Sequence, residues 1–160
     1  MSQQLSSEQV WNELEKELFA VLGMVTSKDE ARTVGIVYAV HDHKIYIVTG
    51  KDSWKVHHVR QNTHVSNTVP IAKRIPFMPW IKIPAATITF SGKGRVLEPK
   101  NVGSDVLHTL FRGLETDEEM LAAMCVIEIE PVGDFITYGI GIPLMSMRDP
   151  EKARGRAPVG

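Results

Sequence analysis

The sequence predicts a mainly β protein, an antiparallel barrel of about six strands, closed or nearly closed, with flanking helices. Three observations point there. Short runs rich in Val, Ile, Thr and Tyr recur at close spacing, the links between them are too short for parallel crossovers, and several runs are apolar on both faces. No Gly-rich phosphate loop joins a strand to a helix, which excludes a doubly wound fold. The 160 residues carry 18 Lys+Arg against 19 Asp+Glu, a net charge of -1, and describe a single domain over 1–160. A chain of this length buries roughly 70% of the surface its unfolded form exposes, so it needs no staple to fold. The single Cys125 excludes an internal disulfide. With no basic-then-apolar leader and no apolar run of about 18 residues, the expected location is cytoplasmic and no membrane partner is expected.

Each element follows from local pattern. Residues 6 to 22 read as an amphipathic helix: Ser6 and Gln9 have capping-box spacing, Val10, Leu14 and Leu18 share a face, and Gly23 stops it, so that 1–23 forms an N-terminal helical segment. Met24 to Ser27, Thr33 to Val40 and Ile45 to Thr49 are strands of a meander, joined by turns at 28–31 and 41–44. Ser53 caps a short helix to about Arg60, and Thr63 to Ile71 resumes strand character. Pro70, Pro76, Pro79 and Pro84, with Phe77 and Trp80, make a loop whose apolar load is expected to pack on something. Residues 85–97 form a long strand in which Gly92 and Gly94 mark a bulge or bend. Residues 101–124 read as helical with Asp117 as an inner cap, and 125–138 as a strand pair or bent strand. The tail over 139–160 lacks periodicity and is expected to gain its order from a partner, at a dimer interface.

The near-zero charge conceals an uneven distribution. Residues 51–95 carry eight basic groups and one acidic group, while both ends of the chain are acidic. Such a middle suits an anionic ligand. Nucleic acid is not the expected partner, because these cations are spread over a helix, a loop and a strand, and the sequence pI is near 6.6. The informative stretch is Thr49-Gly50-Lys51-Asp52-Ser53-Trp54-Lys55, where a strand ends and a capped helix begins. Helix-start N–H groups, a Ser hydroxyl and a Lys ammonium together suit a phosphate monoester. A hairpin centred on Asp42-His43 sets Ile36 opposite Thr49 and Arg32 opposite Ser53, which brings a second cation to the same anion.

These residues resemble the pyridoxamine 5'-phosphate oxidase-like flavin-binding split barrels. The elements that carry the resemblance are Arg32-Thr33-Val34, the strand Ile45-Tyr46-Ile47-Val48-Thr49, the helix start Ser53-Trp54-Lys55, and Asn62-Thr63-His64-Val65-Ser66. The resemblance implies an antiparallel six-stranded split barrel that binds FMN and works as a homodimer, each site being built from two subunits. It also implies that Arg32, Ser53 and Lys55 hold the FMN phosphate, while Thr33, Val34 and Thr49 line the ribityl chain and ring. Trp80 in the Pro-rich loop, and Trp54, are candidates to cover the ring across the interface. His57 stands where the family commonly has a basic residue, and neutral imidazole supplies only one donor.

The implied activity is that of an oxidoreductase passing hydride or electrons between flavin and a small molecule, with the cofactor carrying the chemistry. No side chain is nominated as catalytic, and no second phosphate-binding set supports pyridoxamine phosphate oxidation itself. The alternatives are the same fold holding an 8-hydroxy-5-deazaflavin coenzyme, or a non-enzymatic flavin- or haem-binding protein. Five of the six histidines lie between His41 and His64, but without a Cys or carboxylate motif they are read as turn and helix residues, and no metal is expected.

Overall fold

The computed structural model describes residues 3–160. Strand β1 (Gln3–Gln4) leads into helix α1 (Ser7–Lys16), whose start follows the predicted capping box: Ser6 Oγ accepts from the Gln9 N–H at 3.1 Å, and Gln9 Oε1 accepts from the Ser6 N–H at 2.8 Å. Val10, Trp11 and Leu14 form its buried stripe, and the Trp11 indole N–H donates to the Val159 carbonyl. The helix ends at Lys16, which corrects the helical segment expected over 1–23; Met1 and Ser2 of that segment lie outside the described residues. Strand β2 (Phe19–Val25) takes over because burial now alternates with period two, Ala20, Leu22 and Met24 facing the core. Gly23 is a strand residue, not a stop. A Cβ there would sit 2.4 Å from Ser66 Oγ, so its absence lets a neighbouring strand come close.

Strand β3 (Ala31–Val37) returns antiparallel to β2, from Phe19 opposite Val37 to Val25 opposite Ala31. Strand β4 (Ala39–His41) then pairs with β5 (Lys44–Gly50), Ala39 opposite Tyr46 and His41 opposite Lys44. This is the register expected for a turn centred on Asp42-His43, and both turn residues adopt left-handed backbone (φ 46° and 55°) as a two-residue hairpin demands. His43 stacks on Trp11 at 4.8 Å, a tertiary contact that holds a residue type otherwise poor in such a turn. The register does not continue past Tyr38, because Ile36 pairs with Ala20 instead of Thr49. Tyr38 is the switch point. Its N–H donates to the Leu18 carbonyl at 3.0 Å and its hydroxyl to the Leu14 carbonyl at 2.7 Å, fixing the bend beneath α1.

Helix α2 (Trp54–Gln61), β6 (His64–Ile71) and β7 (Ala86–Leu97) follow, then α3 (Ser104–Phe111), α4 (Glu118–Ala123), β8 (Met124–Tyr138), α5 (Pro150–Ala153) and β9 (Arg154–Pro158). The wall runs β3-β2-β6-β7-β8-β5, all antiparallel. It is an open, curled half-barrel, consistent with a split barrel. The six-strand expectation describes this wall and misses its extensions: β4 on β5, β9 on β8, and β1, which lies parallel to β9. Among the described residues, β3 and β5 do not pair, and the gap between them is a seam.

Four further expectations change. The bend in the long strand pair falls between Thr89 and Ser91, whose partners are Ile136 and Val132, with Gly133 at φ 76° on β8. Gly92 and Gly94 stay in register and instead admit side chains, since a Cβ would lie 2.7 Å from Ile129 Cγ2 and 2.8 Å from Val59 Cγ1 respectively. Residues 101–124 form two helices, broken at Arg112 and Gly113 (φ 54° and 72°), with Asp117 capping the second through the Met120 N–H at 2.7 Å, as its side chain predicts. The tail does not wait for a partner: β9 pairs with β8 in the same chain, and Met147, Ala153 and Ala157 are buried. The Pro-rich loop behaves oppositely. Ile75 is its anchor at 9% exposure, while Phe77 and Trp80 stand 96% and 73% exposed.

Candidate functional site

The seam opens into a cavity of about 300 Å³ lined by Gly35 to Tyr38 on one side and by Ile47, Val48 and Thr49 on the other. Lys55 from α2 and Thr109, Leu110 and Arg112 from α3 complete it. Both strands present unpaired edges here, so backbone N–H and C=O groups are available to a ligand. A second cavity, about 530 Å³, adjoins the first through Tyr38, Thr109 and Arg112 and reaches Glu15, Glu17 and Leu18. Sequence reasoning predicted a helix here, within 101–124, but assigned neither Arg112 nor that helix to the site. The break at Arg112-Gly113 was its one local signal, and its approach to β3 and β5 is a tertiary fact.

The helix start is built as the sequence suggests. Ser53 caps α2, its Oγ accepting from the Val56 N–H at 3.5 Å, and Thr49 Oγ1 donates to the same oxygen at 3.3 Å. With its acceptor sites engaged, the Ser53 hydroxyl proton remains to be given to an anion. The first-turn N–H groups of α2 have no intrahelical acceptor and carry the positive end of the helix dipole. Lys55 Nζ lies 5.8 Å from the Trp54 ring centroid and forms no ion pair among the described residues. Below this helix, burial pushes the Cys125 thiol up, and Arg60, Lys51 and Lys55 oppose the shift without overcoming it. Cys125 pairs with Thr49 at the end of β5, so the field of these cations reaches that end of the strand.

Thr49, Ser53 and Lys55 thus come together, and the remaining expected residues lie elsewhere. Arg32 is exposed, donates to Glu30 Oε2 at 2.8 Å, and lines a separate cavity with Thr33, His64 and Ser66. Pairing of β3 with β2 explains this, since Arg32 stands opposite Met24 and not opposite Ser53. Val34 packs against the barrel core, on the face opposite to Thr33. Trp80 lines neither of these cavities.

Two polar groups stiffen the wall beside the seam. Glu128, on β8, accepts from the Arg95 guanidinium at 2.8 Å and from the Tyr46 hydroxyl at 3.0 Å, with Lys44 Nζ 3.6 Å away. Burial first, and then this hydrogen bond, pushes the Tyr46 phenol up to about 12. Burial also raises Tyr38, assisted by Glu17. Among the described residues, no group of three or more His, Cys, Asp or Glu is placed to hold a metal. His41 instead bridges by Nε2 to Asp42 and Asp105, 3.3 Å from each.

No family model matches the chain, and no curated protein matches it. Solved structures do. A candidate pyridoxamine 5'-phosphate oxidase of Listeria innocua is 18% identical with TM-score 0.62, the match covering 78% of this chain and 92% of that one. An F420 reductase is 17% identical with TM-score 0.54, over 76% of this chain and 91% of the other. A haem-binding protein of Mycobacterium smegmatis is 8% identical with TM-score 0.69, over 99% of this chain and 60% of that one. At these identities the likeness is one of fold: the chain shares with these proteins an open, curled antiparallel half-barrel, consistent with a split barrel.

Proposed function

We propose that this chain is an FMN-binding split-barrel oxidoreductase, active as a homodimer on a small molecule in the cytoplasm. The observation that carries the reading is the seam cavity, in which Thr49 and Lys55 stand beside a Ser-capped helix start. Its size falls within the usual range of small-molecule pockets, and the adjoining cavity extends it. Lys55, the Ser53 hydroxyl and the first N–H groups of α2 supply charge-assisted donors for a phosphate. The β3 and β5 edges would hold the ribityl chain and the ring. Arg32, which the resemblance assigns to the phosphate, would have to leave the Glu30 carboxylate to join it; Thr33 would line the approach from the exposed face of β3, with Val34 supporting that strand from the core side. Trp80, exposed on its loop, would cover the ring from the partner subunit. The flavin, when bound, supplies the hydride or electron transfer; the chain orients it and tunes it by hydrogen bonds.

A second reading keeps the fold and the seam and replaces FMN with an 8-hydroxy-5-deazaflavin coenzyme. The excess of eight basic groups over one acidic group across residues 51–95 favours it, because its longer anionic tail would welcome that charge. Absorbance of the purified protein separates the readings: two flavin bands for FMN, one violet band for the deazaflavin, and a Soret band for a haem carrier. Lys55→Ala is expected to weaken FMN by about 1.5 to 3 kcal/mol in a fluorescence titration while riboflavin is hardly affected. Equal losses for both ligands would remove Lys55 from the phosphate, and no uptake of FMN by the wild type would sink the reading.

A further inference from the structure

Arg112 occupies a position at which its backbone is at a disadvantage. It ends α3 with φ 54° and ψ 39°, a left-handed conformation that Gly adopts freely and that costs any residue with a Cβ. Gly113 follows directly in the same region. The side chain, not the backbone, is therefore what Arg adds at this place. It is exposed and forms no ion pair among the described residues. It lines the seam cavity together with Lys55, and that cavity has no carboxylate in its lining. Two unpaired cations from different helices thus line one small space.

We infer that Lys55 and Arg112 together hold the phosphate of the ligand that enters the seam, so that α3 closes the cavity over the bound anion. The inference rests on the seam being the ligand site, as proposed above, but not on the ligand being FMN. It makes Arg112 a binding residue of the anion end, with a planar donor fork facing the oxygens and Lys55 as a point charge. The competing role is structural, as a counter-charge to Glu15 and Glu17, which line the adjoining cavity with Arg112.

The test uses the full chain and two variants, Arg112→Gly and Arg112→Lys. Inorganic phosphate is titrated while the Arg112 guanidinium and Lys55 side-chain resonances are followed by NMR. Both are expected to shift with one dissociation constant. Arg112→Gly should weaken phosphate by about 10- to 100-fold with the thermal midpoint unchanged or raised, because Gly suits the left-handed position, and Arg112→Lys should recover part of the affinity. A shift at Lys55 alone would overturn the inference. So would an Arg112→Gly variant that melts earlier yet binds phosphate normally, since that is the signature of the Glu15 and Glu17 role. Parallel titrations with FMN and with the deazaflavin coenzyme decide the source of the phosphate. A chain that binds phosphate through both cations but takes up neither cofactor keeps the inference and removes the flavin reading.

Discussion

The wall from β2 through β6 and β7 to β8 and the seam between β3 and β5 are made of the same residue types, yet they behave differently. In the wall every strand has a neighbour on both edges, and Leu22, Ile88, Ile127 and Phe135 are fully buried between them. At the seam two strands face each other without a ladder, and Val37 remains 55% exposed. Apolar burial and paired backbone hold the fold together, whereas an unpaired edge with a cavity behind it is where a ligand can supply the missing contacts. Stability and binding should therefore separate by region.

The largest effect expected is in the wall. Phe135→Ala removes a ring packed edge-on to Trp11 and Phe90, at 5.2 and 5.4 Å, and should cost about 3 to 5 kcal/mol in urea denaturation. Val37→Ala at the seam should cost less than about 0.5 kcal/mol by the same measurement. Similar values for the two would erase the distinction between the regions. Next comes Glu128→Ala, on the wall strand that borders β5. It deprives the Arg95 and Tyr46 donors of their acceptor and should cost about 1 to 3 kcal/mol. A loss no greater than that of an exposed ion pair would show that β5 is held by its ladder alone.

Alkaline pH sharpens the same contrast. The Tyr46 phenol is raised in the folded state from its ordinary 10.0 to about 12, so its contribution is fully present below pH 10. That contribution falls as pH rises through the window between the two values, where the unfolded chain has given up the proton and the folded chain has not. Urea midpoints of wild type and Tyr46→Phe should converge across that window. Parallel curves would mean that the phenol ionises as freely in the fold as outside it. The smallest effect is expected at Arg32. Its ion pair with Glu30 is half exposed on both sides, so Arg32→Ala should change stability by less than about 1 kcal/mol. It should also weaken FMN less than Lys55→Ala does, because the guanidinium gives up a partner on binding; an equal loss would place both cations permanently at one anion.

The features legible in the sequence are those that depend on near neighbours. Ser6 with Gln9, Ser53 and Asp117 cap helices through bonds to residues three positions on, and the Asp42-His43 hairpin keeps its predicted register as far as Ala39. The errors arise where distant segments compete. Leu18, Val21 and Leu22 fit a helical face as well as a strand, and only the interior that Ala20, Leu22 and Met24 enter decides for β2. The tail shows no period because β9 is short and gains its order from β8 on one side and β1 on the other.

The antiparallel class, the helix starts, and the meeting of Thr49, Ser53 and Lys55 follow from residue order alone, because each rests on contacts within a few residues along the chain. Long-range packing settles that β3 belongs to β2, that the chain changes partner at Tyr38, and that Arg112 rather than Arg32 lines the cavity with Lys55. A strand has two edges of equal hydrogen-bonding capacity, and local pattern does not say which of them will be occupied. That choice depends on which distant strand buries the larger apolar face, and here it left one edge of β3 and one of β5 open to a ligand.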